Sequence, residues 1–166
     1  MNHVKKLSVA GVLVAVGAAM SPFSIPVGVA RCFPVQHMVN VIAGALLGPW
    51  YAVGMAFVTS VIRNAMGTGT LLAFPGSMLG ALLAGLAAKY FTDKLLPVCM
   101  GELIGTGVLG ALAAYPVAAF ILGREAAAFA FVLPFAVSSA GGAAIAFALL
   151  TVLKRTGVLN REKLLL

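Results

Sequence analysis

The amino-acid sequence predicts an all-α integral membrane protein of about six transmembrane helices. Three observations carry that expectation. First, 62% of the 166 residues are hydrophobic and only 9% are charged. Soluble domains average about 45–50% apolar and about 25% charged residues, so too few ionic side chains are present to clothe a soluble surface. Second, the mean hydropathy of +1.10 makes the bilayer the better solvent. Third, long apolar runs alternate with short Pro- and Gly-rich breaks. Six spans of roughly 20 residues use about 120 residues and leave only short loops. A soluble nucleotide-binding domain of ordinary size does not fit beside them, so residues 1–166 are expected to form a single transmembrane domain.

The first apolar run covers about Leu7 to Met20 after Lys5 and Lys6. A basic start and an apolar core are also features of a signal peptide. The run continues into Ser21-Pro22-Phe23 without a clear small-residue cleavage site, so it is taken as a retained helix. Pro22, Pro26 and Pro34 exclude a regular helix from the next stretch. That outer loop, about 22–35, stays apolar at Phe23, Ile25, Val27 and Phe33, and is expected to fold back over the helices as a lid. A second helix runs from about Gln36 to Leu47 and stops at Gly48-Pro49. A third covers about Trp50 to Asn64. Each is near 20 Å long at about 1.5 Å per residue, so each crosses with tilt or local thinning, or the two form a re-entrant hairpin buried in protein.

Gly67-Thr68-Gly69 and Phe74-Pro75-Gly76 are expected to break the chain. The fourth helix then covers about Ser77 to Phe91, and the fifth about Leu96 to Leu122, kinked at Pro116. After a turn at Gly123-Arg124-Glu125, the sixth spans about Ala126 to Leu153 with Pro134 inside it. A polar cytoplasmic tail, about 154–166, closes the chain.

Charge sets the orientation. With the amino terminus inside, Lys5, Lys6, Lys89, Lys94, Lys154, Arg155, Arg161 and Lys163 lie inside, and Arg31, Arg63 and Arg124 outside. Eight against three satisfies the positive-inside tendency, with both termini cytoplasmic in a multi-pass cell-membrane protein. The net charge of +7 is accounted for by these segment ends, and basic residues interleaved with aromatics, as nucleic acid would require, are not seen. Cys32 and Cys99 fall near opposite faces, too far apart for a disulfide.

Polar groups inside a bilayer each need a reason. Gln36 and Asn40 are four residues apart, and His37 and Asn40 three apart, so all three share one helical face near the outer surface. Arg63 and Asn64 end the third helix at the same level. Together with the outer loop and the Gly67–Gly69 turn they are expected to form one pocket. Taken singly, each has a plainer role as helix glue or as a snorkelling cation. Glu102, the one acid in an apolar run, sits about a turn from the inner end of its helix, where water or Lys89 or Lys94 can meet it. A proton relay needs a second intramembrane acid, and Asp93, Glu125 and Glu162 lie outside the spans. Tyr115 and Ser138 are further pocket candidates, with interhelical hydrogen bonding as the plainer reading of Ser138. No phosphate-binding Gly-rich loop, clustered metal-ligand set or nucleophile–base pair occurs, so neither ATP hydrolysis, nor a metal or other cofactor, nor enzymatic catalysis is expected of this chain.

Small residues recur every four positions: Gly11, Ala15 and Ala19 on the first helix, then Gly44 and Gly48, Gly76 and Gly80, Gly101 and Gly105. In lipid, helices associate by close backbone approach at such residues. The later pairs are expected to pack within the chain, whereas the first stripe is expected to receive a helix of another protein.

The chain resembles the substrate-binding (S) components of energy-coupling-factor vitamin transporters, and more narrowly the ThiW type. The resemblance spans nearly the whole chain. Its densest stretches are Ser21-Pro22-Phe23-Ser24-Ile25-Pro26-Val27-Gly28, Phe33-Pro34-Val35-Gln36-His37-Met38-Val39-Asn40-Val41 and Leu47-Gly48-Pro49-Trp50-Tyr51-Ala52. Arg63-Asn64-Ala65-Met66-Gly67-Thr68-Gly69, Phe74-Pro75-Gly76-Ser77, Glu102-Leu103-Ile104-Gly105-Thr106-Gly107 and Ala114-Tyr115-Pro116 add to it. The resemblance implies six helices, an outward pocket under a lid, and an energy module of a transmembrane scaffold with two ATPase subunits. It implies docking through an Ala-x-x-x-Ala motif on the first helix, where Gly11 here replaces the first Ala. The implied substrate is hydroxyethylthiazole or a close relative, a small uncharged heteroaromatic. An anionic ligand or another small vitamin is the rival, because Arg31 and Arg63 face no acid. A self-sufficient secondary carrier and a non-transporting scaffold are the alternatives of other classes.

Overall fold

A computed structural model describes residues 2–27, 30–91, 94–123, 125 and 127–157. The expected positions of Gly28, Asp93, Arg124, Arg161, Glu162 and Lys163, and the tail beyond residue 157, lie outside the described residues. Among the described residues the chain is all-α except for one small hairpin. The elements are α1 (His3–Ala19), β1 (Ile25–Val27), β2 (Ala30–Cys32), α2 (Pro34–Leu47), α3 (Pro49–Ala65), α4 (Ala73–Tyr90), α5 (Leu95–Ile104), α6 (Ala111–Pro116) and α7 (Val132–Arg155). α5 and α6 belong to one helical run, Leu95–Ile121, with π-helical stretches at Gly105–Gly110 and Val117–Ile121. Two runs, Leu95–Ile121 and Val132–Arg155, are long and apolar enough to cross a membrane, and Pro34–Leu47 is a shorter apolar helix.

Three boundaries differ from expectation, each at a proline. The stretch after α1 is not an irregular loop. It holds an antiparallel two-stranded hairpin in which Pro26 pairs with Arg31, which a proline tolerates because both strands are edges. Phe74-Pro75-Gly76 does not break the chain but lies in the first turn of α4, which begins at Ala73 rather than Ser77. α7 begins at Val132 rather than Ala126, so Pro134 also falls in a first turn. First-turn N–H groups have no helical acceptor, so proline costs nothing there. Gly48, at φ 90°, ends α2, and Pro49 starts α3 at once. That single left-handed glycine is the whole connection.

α4 is the central helix, packed against α2, α3 and α5. Its buried face is Gly76, Ser77, Gly80, Ala81, Ala84, Gly85 and Ala88. Such small side chains let backbones come close. A Cβ added at Gly44 would stand 2.9 Å from the Gly85 nitrogen, and one at Gly101 2.6 Å from the Leu83 carbonyl. The later small-residue pairs are thus seams inside the bundle. α2 has ten buried residues among its 14, so its shortness is no handicap: protein rather than lipid surrounds it. Large apolar side chains turn outward instead, among them Phe120 at 84% exposure and Leu133 at 66%. An exterior of that kind suits hydrocarbon.

Candidate functional site

The polar groups collect at one end of the bundle, where α2, α4 and α7 begin and α1 and α3 end. His3 touches Tyr51 at the opposite end, so α1 and α3 run in the same direction. That other end carries Lys5, Lys6, Lys89 and Lys154.

A cavity of about 530 Å³ opens there. Its roof is the hairpin, through Pro26, Arg31 and Phe33, and its walls include Gln36, His37, Arg63, Thr106 and Ser138. The roof is pinned at two points to the first turns of α7. The Cys32 thiol donates to the Pro134 carbonyl at 3.1 Å, and the Phe33 N–H donates to Ser138 Oγ at 2.7 Å. Across the opening, Ser21 and Thr68 join their hydroxyls at 2.7 Å. The Gly67–Gly69 turn forms as expected, with Thr68 N–H and Gly69 N–H each donating to the Arg63 carbonyl at 3.0 Å.

Arg63 is 1% exposed, and its guanidinium lies 3.8 Å from the Phe33 ring centroid. Stacking on an aromatic face offsets part of the cost of burial. Its Nε and Nη2 have no protein acceptor among the described residues, which leaves hydrogen-bonding capacity in reserve at the cavity wall.

Below the cavity lies a buried network. Gln36 Nε2 donates to Ser77 Oγ at 2.8 Å, and Asn40 Nδ2 reaches Ser77 Oγ at 3.0 Å and the Ser77 carbonyl at 3.2 Å. Glu102 Oε1 is the common acceptor: His37 Nδ1 lies at 2.8 Å, Thr106 Oγ1 at 2.9 Å and Asn40 Nδ2 at 3.2 Å. Glu102 is fully buried, and its partner is His37 rather than Lys89 or Lys94, contrary to expectation. Glycine makes room for it. A Cβ at Gly80 would stand 2.6 Å from Glu102 Oε2 and would also collide with Thr106 Oγ1. Three side chains hold one oxygen of the buried carboxylate, the absent Cβ of Gly80 leaves space for the other, and Oε2 has no hydrogen-bond partner among the described residues.

Of the residues singled out in the sequence, Gln36, His37, Arg63 and Ser138 line the cavity, and Asn40 and Glu102 lie directly beneath it. Two stand apart. Asn64 turns its amide to the Ser60 and Thr70 carbonyls, at 2.8 and 3.2 Å, and so closes the end of α3. Tyr115 is half-buried and does not border the cavity, because it follows a π-helical stretch that alters the helical phase expected from uniform 3.6-residue turns. Sequence reasoning missed Ser77, Thr106 and the Phe33 stacking partner. Thr106 was within reach, since it stands four residues after Glu102 and therefore on the same face. Among the described residues no group of His, Cys, Asp and Glu is arranged to hold a metal ion, and Cys32 and Cys99 are free thiols.

A helical bundle with an apolar exterior and a cavity walled by a few fixed polar groups has the general form of a membrane-type protein with a small-molecule site. The chain belongs to the ThiW family, described as thiamine-precursor transporter protein, which it matches over residues 7–156. No curated protein and no solved structure matches it.

Proposed function

We propose that this chain is the membrane-embedded substrate-binding subunit of an energy-coupling-factor importer, and that it captures hydroxyethylthiazole at the outer face. Its cavity is the observation that carries this reading. About 530 Å³ is ample for one small ring. Arg63 supplies donors, Phe33 and Phe135 supply aromatic wall, and Gln36, His37 and Ser138 supply short-range polar contacts. The basic residues at the far end of the bundle favour an inside position for that end and an outside position for the cavity. Six spans follow from the six helical segments taken in alternation, with α2 shielded by its neighbours.

Energy arrives from partner subunits in this account: a transmembrane scaffold and two ATPases. Its support is the face of α1. Gly11, Ala15 and Ala19 are all exposed, and a Cβ at Gly11 would meet nothing within 4 Å. The buried face of α1, with Ala10, Gly17 and Ala18, is the other one. The small stripe is therefore unused inside the chain and open to a partner helix.

Equilibrium titration of the purified protein with hydroxyethylthiazole, without nucleotide, tests the reading. Saturable one-site binding is expected. Absence of binding, or binding only of anionic analogues, contradicts it.

A further inference from the structure

We propose that Glu102, acting through His37, makes the cavity selective for ligands that carry a hydroxyl group. The proposal rests on the thiazole-alcohol reading above and extends it to the atom that reads the side chain of the ligand.

The argument starts with the proton on His37. Glu102 Oε1 accepts from Asn40 Nδ2 at 3.2 Å and faces Thr106 Oγ1 at 2.9 Å. An ionised carboxylate has no hydrogen and can only accept, so beside it the hydrogen of the 2.8 Å contact belongs to His37 Nδ1. A carboxylate on one ring nitrogen fixes the tautomer and the ring orientation. In the neutral ring the other nitrogen, Nε2, then carries a lone pair and no hydrogen. His37 lines the cavity, and its ring hydrogen bond to Glu102 is made at Nδ1.

That lone pair faces ligands with a strict preference. The nitrogen and sulfur of a thiazole ring offer no hydrogen to donate, whereas a hydroxyl on its side arm does. Arg63, which can only donate, suits the ring nitrogen instead. The two residues form opposite poles: Arg63 reads an acceptor and His37 reads a donor. Were the hydrogen on Nε2, both poles would donate and the hydroxyl would lose its distinction. Glu102 is thus a positioning residue that touches no ligand.

The test compares 5-(2-hydroxyethyl)-4-methylthiazole with 5-ethyl-4-methylthiazole, which has the same ring and lacks the hydroxyl. Wild-type protein should bind the alcohol at least about tenfold more tightly, since a site built to pair with a hydroxyl is left unpaired by its absence. His37→Phe keeps a ring and removes the lone pair. It should bring the ratio close to one, with the alcohol losing more affinity than the ethyl compound. Glu102→Gln still offers an amide oxygen to Nδ1 and should keep most of the ratio. Nitrogen-15 NMR of the histidines in the full chain, with His3→Asn to assign them, reads the tautomer without touching the site. A protonated Nδ1 beside an unprotonated Nε2 is expected. Equal binding of the two compounds by wild-type protein, a ratio that survives in His37→Phe, or an Nε2–H ring overturns the proposal. Binding of neither compound overturns the thiazole reading beneath it and the proposal with it.

Discussion

Asn40 and Arg63 show two ways in which a buried polar residue serves a site. Asn40 is fully buried and spends its amide hydrogens on Ser77 and Glu102. Asn40→Ala removes one hydrogen bond from each of these buried partners, which keep Gln36 on Ser77 and His37 and Thr106 on Glu102, and a buried hydrogen bond lost in this way costs about 1–3 kcal/mol. It should lower the melting temperature of the ligand-free protein and weaken binding together. Arg63 is equally buried, but Nε and Nη2 satisfy nothing in the protein. Arg63→Ala should weaken binding by roughly tenfold or more, with a smaller loss of ligand-free stability, because no protein acceptor is orphaned. Paired thermal melts and titrations separate the two patterns. Equal stability losses in both variants would place Arg63 in the scaffold and not the site. Gly80→Ala is the sharpest steric probe. Its methyl collides with the Glu102 carboxylate and Thr106, and overpacking of this kind costs about 1–3 kcal/mol. Loss of binding with a lowered melting temperature is expected, and unchanged behaviour in both would mean that the carboxylate has room to move. Gln36, His37 and Asn40 were legible in the sequence because helical periodicity alone puts them on one face. Thr106, four residues after Glu102, follows from the same periodicity and was overlooked. Ser77 was not legible, because a serine hydroxyl inside a helix most often bonds its own backbone, and only the packing of α4 against α2 reveals that it faces Asn40.

At the scale of elements, α1 and α4 use small residues for opposite purposes. On α4 they are buried and set the spacing to α2 and α5. On α1 the four-residue stripe looks away from the bundle, while Ala10, Gly17 and Ala18 pack inward, and a Cβ added at Gly17 would stand 3.0 Å from the Thr59 methyl. Ala15→Leu should therefore leave ligand binding unchanged and reduce uptake in cells that contain the partner ATPases, because a bulky side chain keeps a partner helix away. Gly17→Leu should instead destabilise the fold itself. If Ala15→Leu abolished binding, the stripe would belong to the fold rather than to docking. The helices themselves were readable from apolar runs and punctuating glycines and prolines. Their starts were less so. Pro75 and Pro134 read equally well as breakers or as first-turn residues, and the choice depends on whether the preceding turn finds partners. The hairpin was hidden for a similar reason: Pro26 argues against a strand until the strand proves to be an edge.

The whole molecule inverts the usual distribution of side chains. Its exterior is large and apolar, and its interior holds alanine, glycine and a polar network. That arrangement lets one dry carboxylate and one stacked guanidinium stand within a bundle that surrounds itself with hydrocarbon. It also explains why composition pointed to a membrane at once while the site needed three dimensions. Residue counts see the exterior, and they are blind to which of the few polar groups converge. Convergence at one end, opposite the lysines, is what gathers a set of scattered hydrogen-bonding groups round one cavity.

The most direct test is to identify by mass spectrometry the small molecule that copurifies with wild-type protein and with Arg63→Ala, extracted from the same cells. A hydroxyl-bearing thiazole bound to wild-type protein and depleted from the variant is the predicted result. A phosphorylated or carboxylated ligand, or equal amounts of the same molecule on both proteins, would contradict the account.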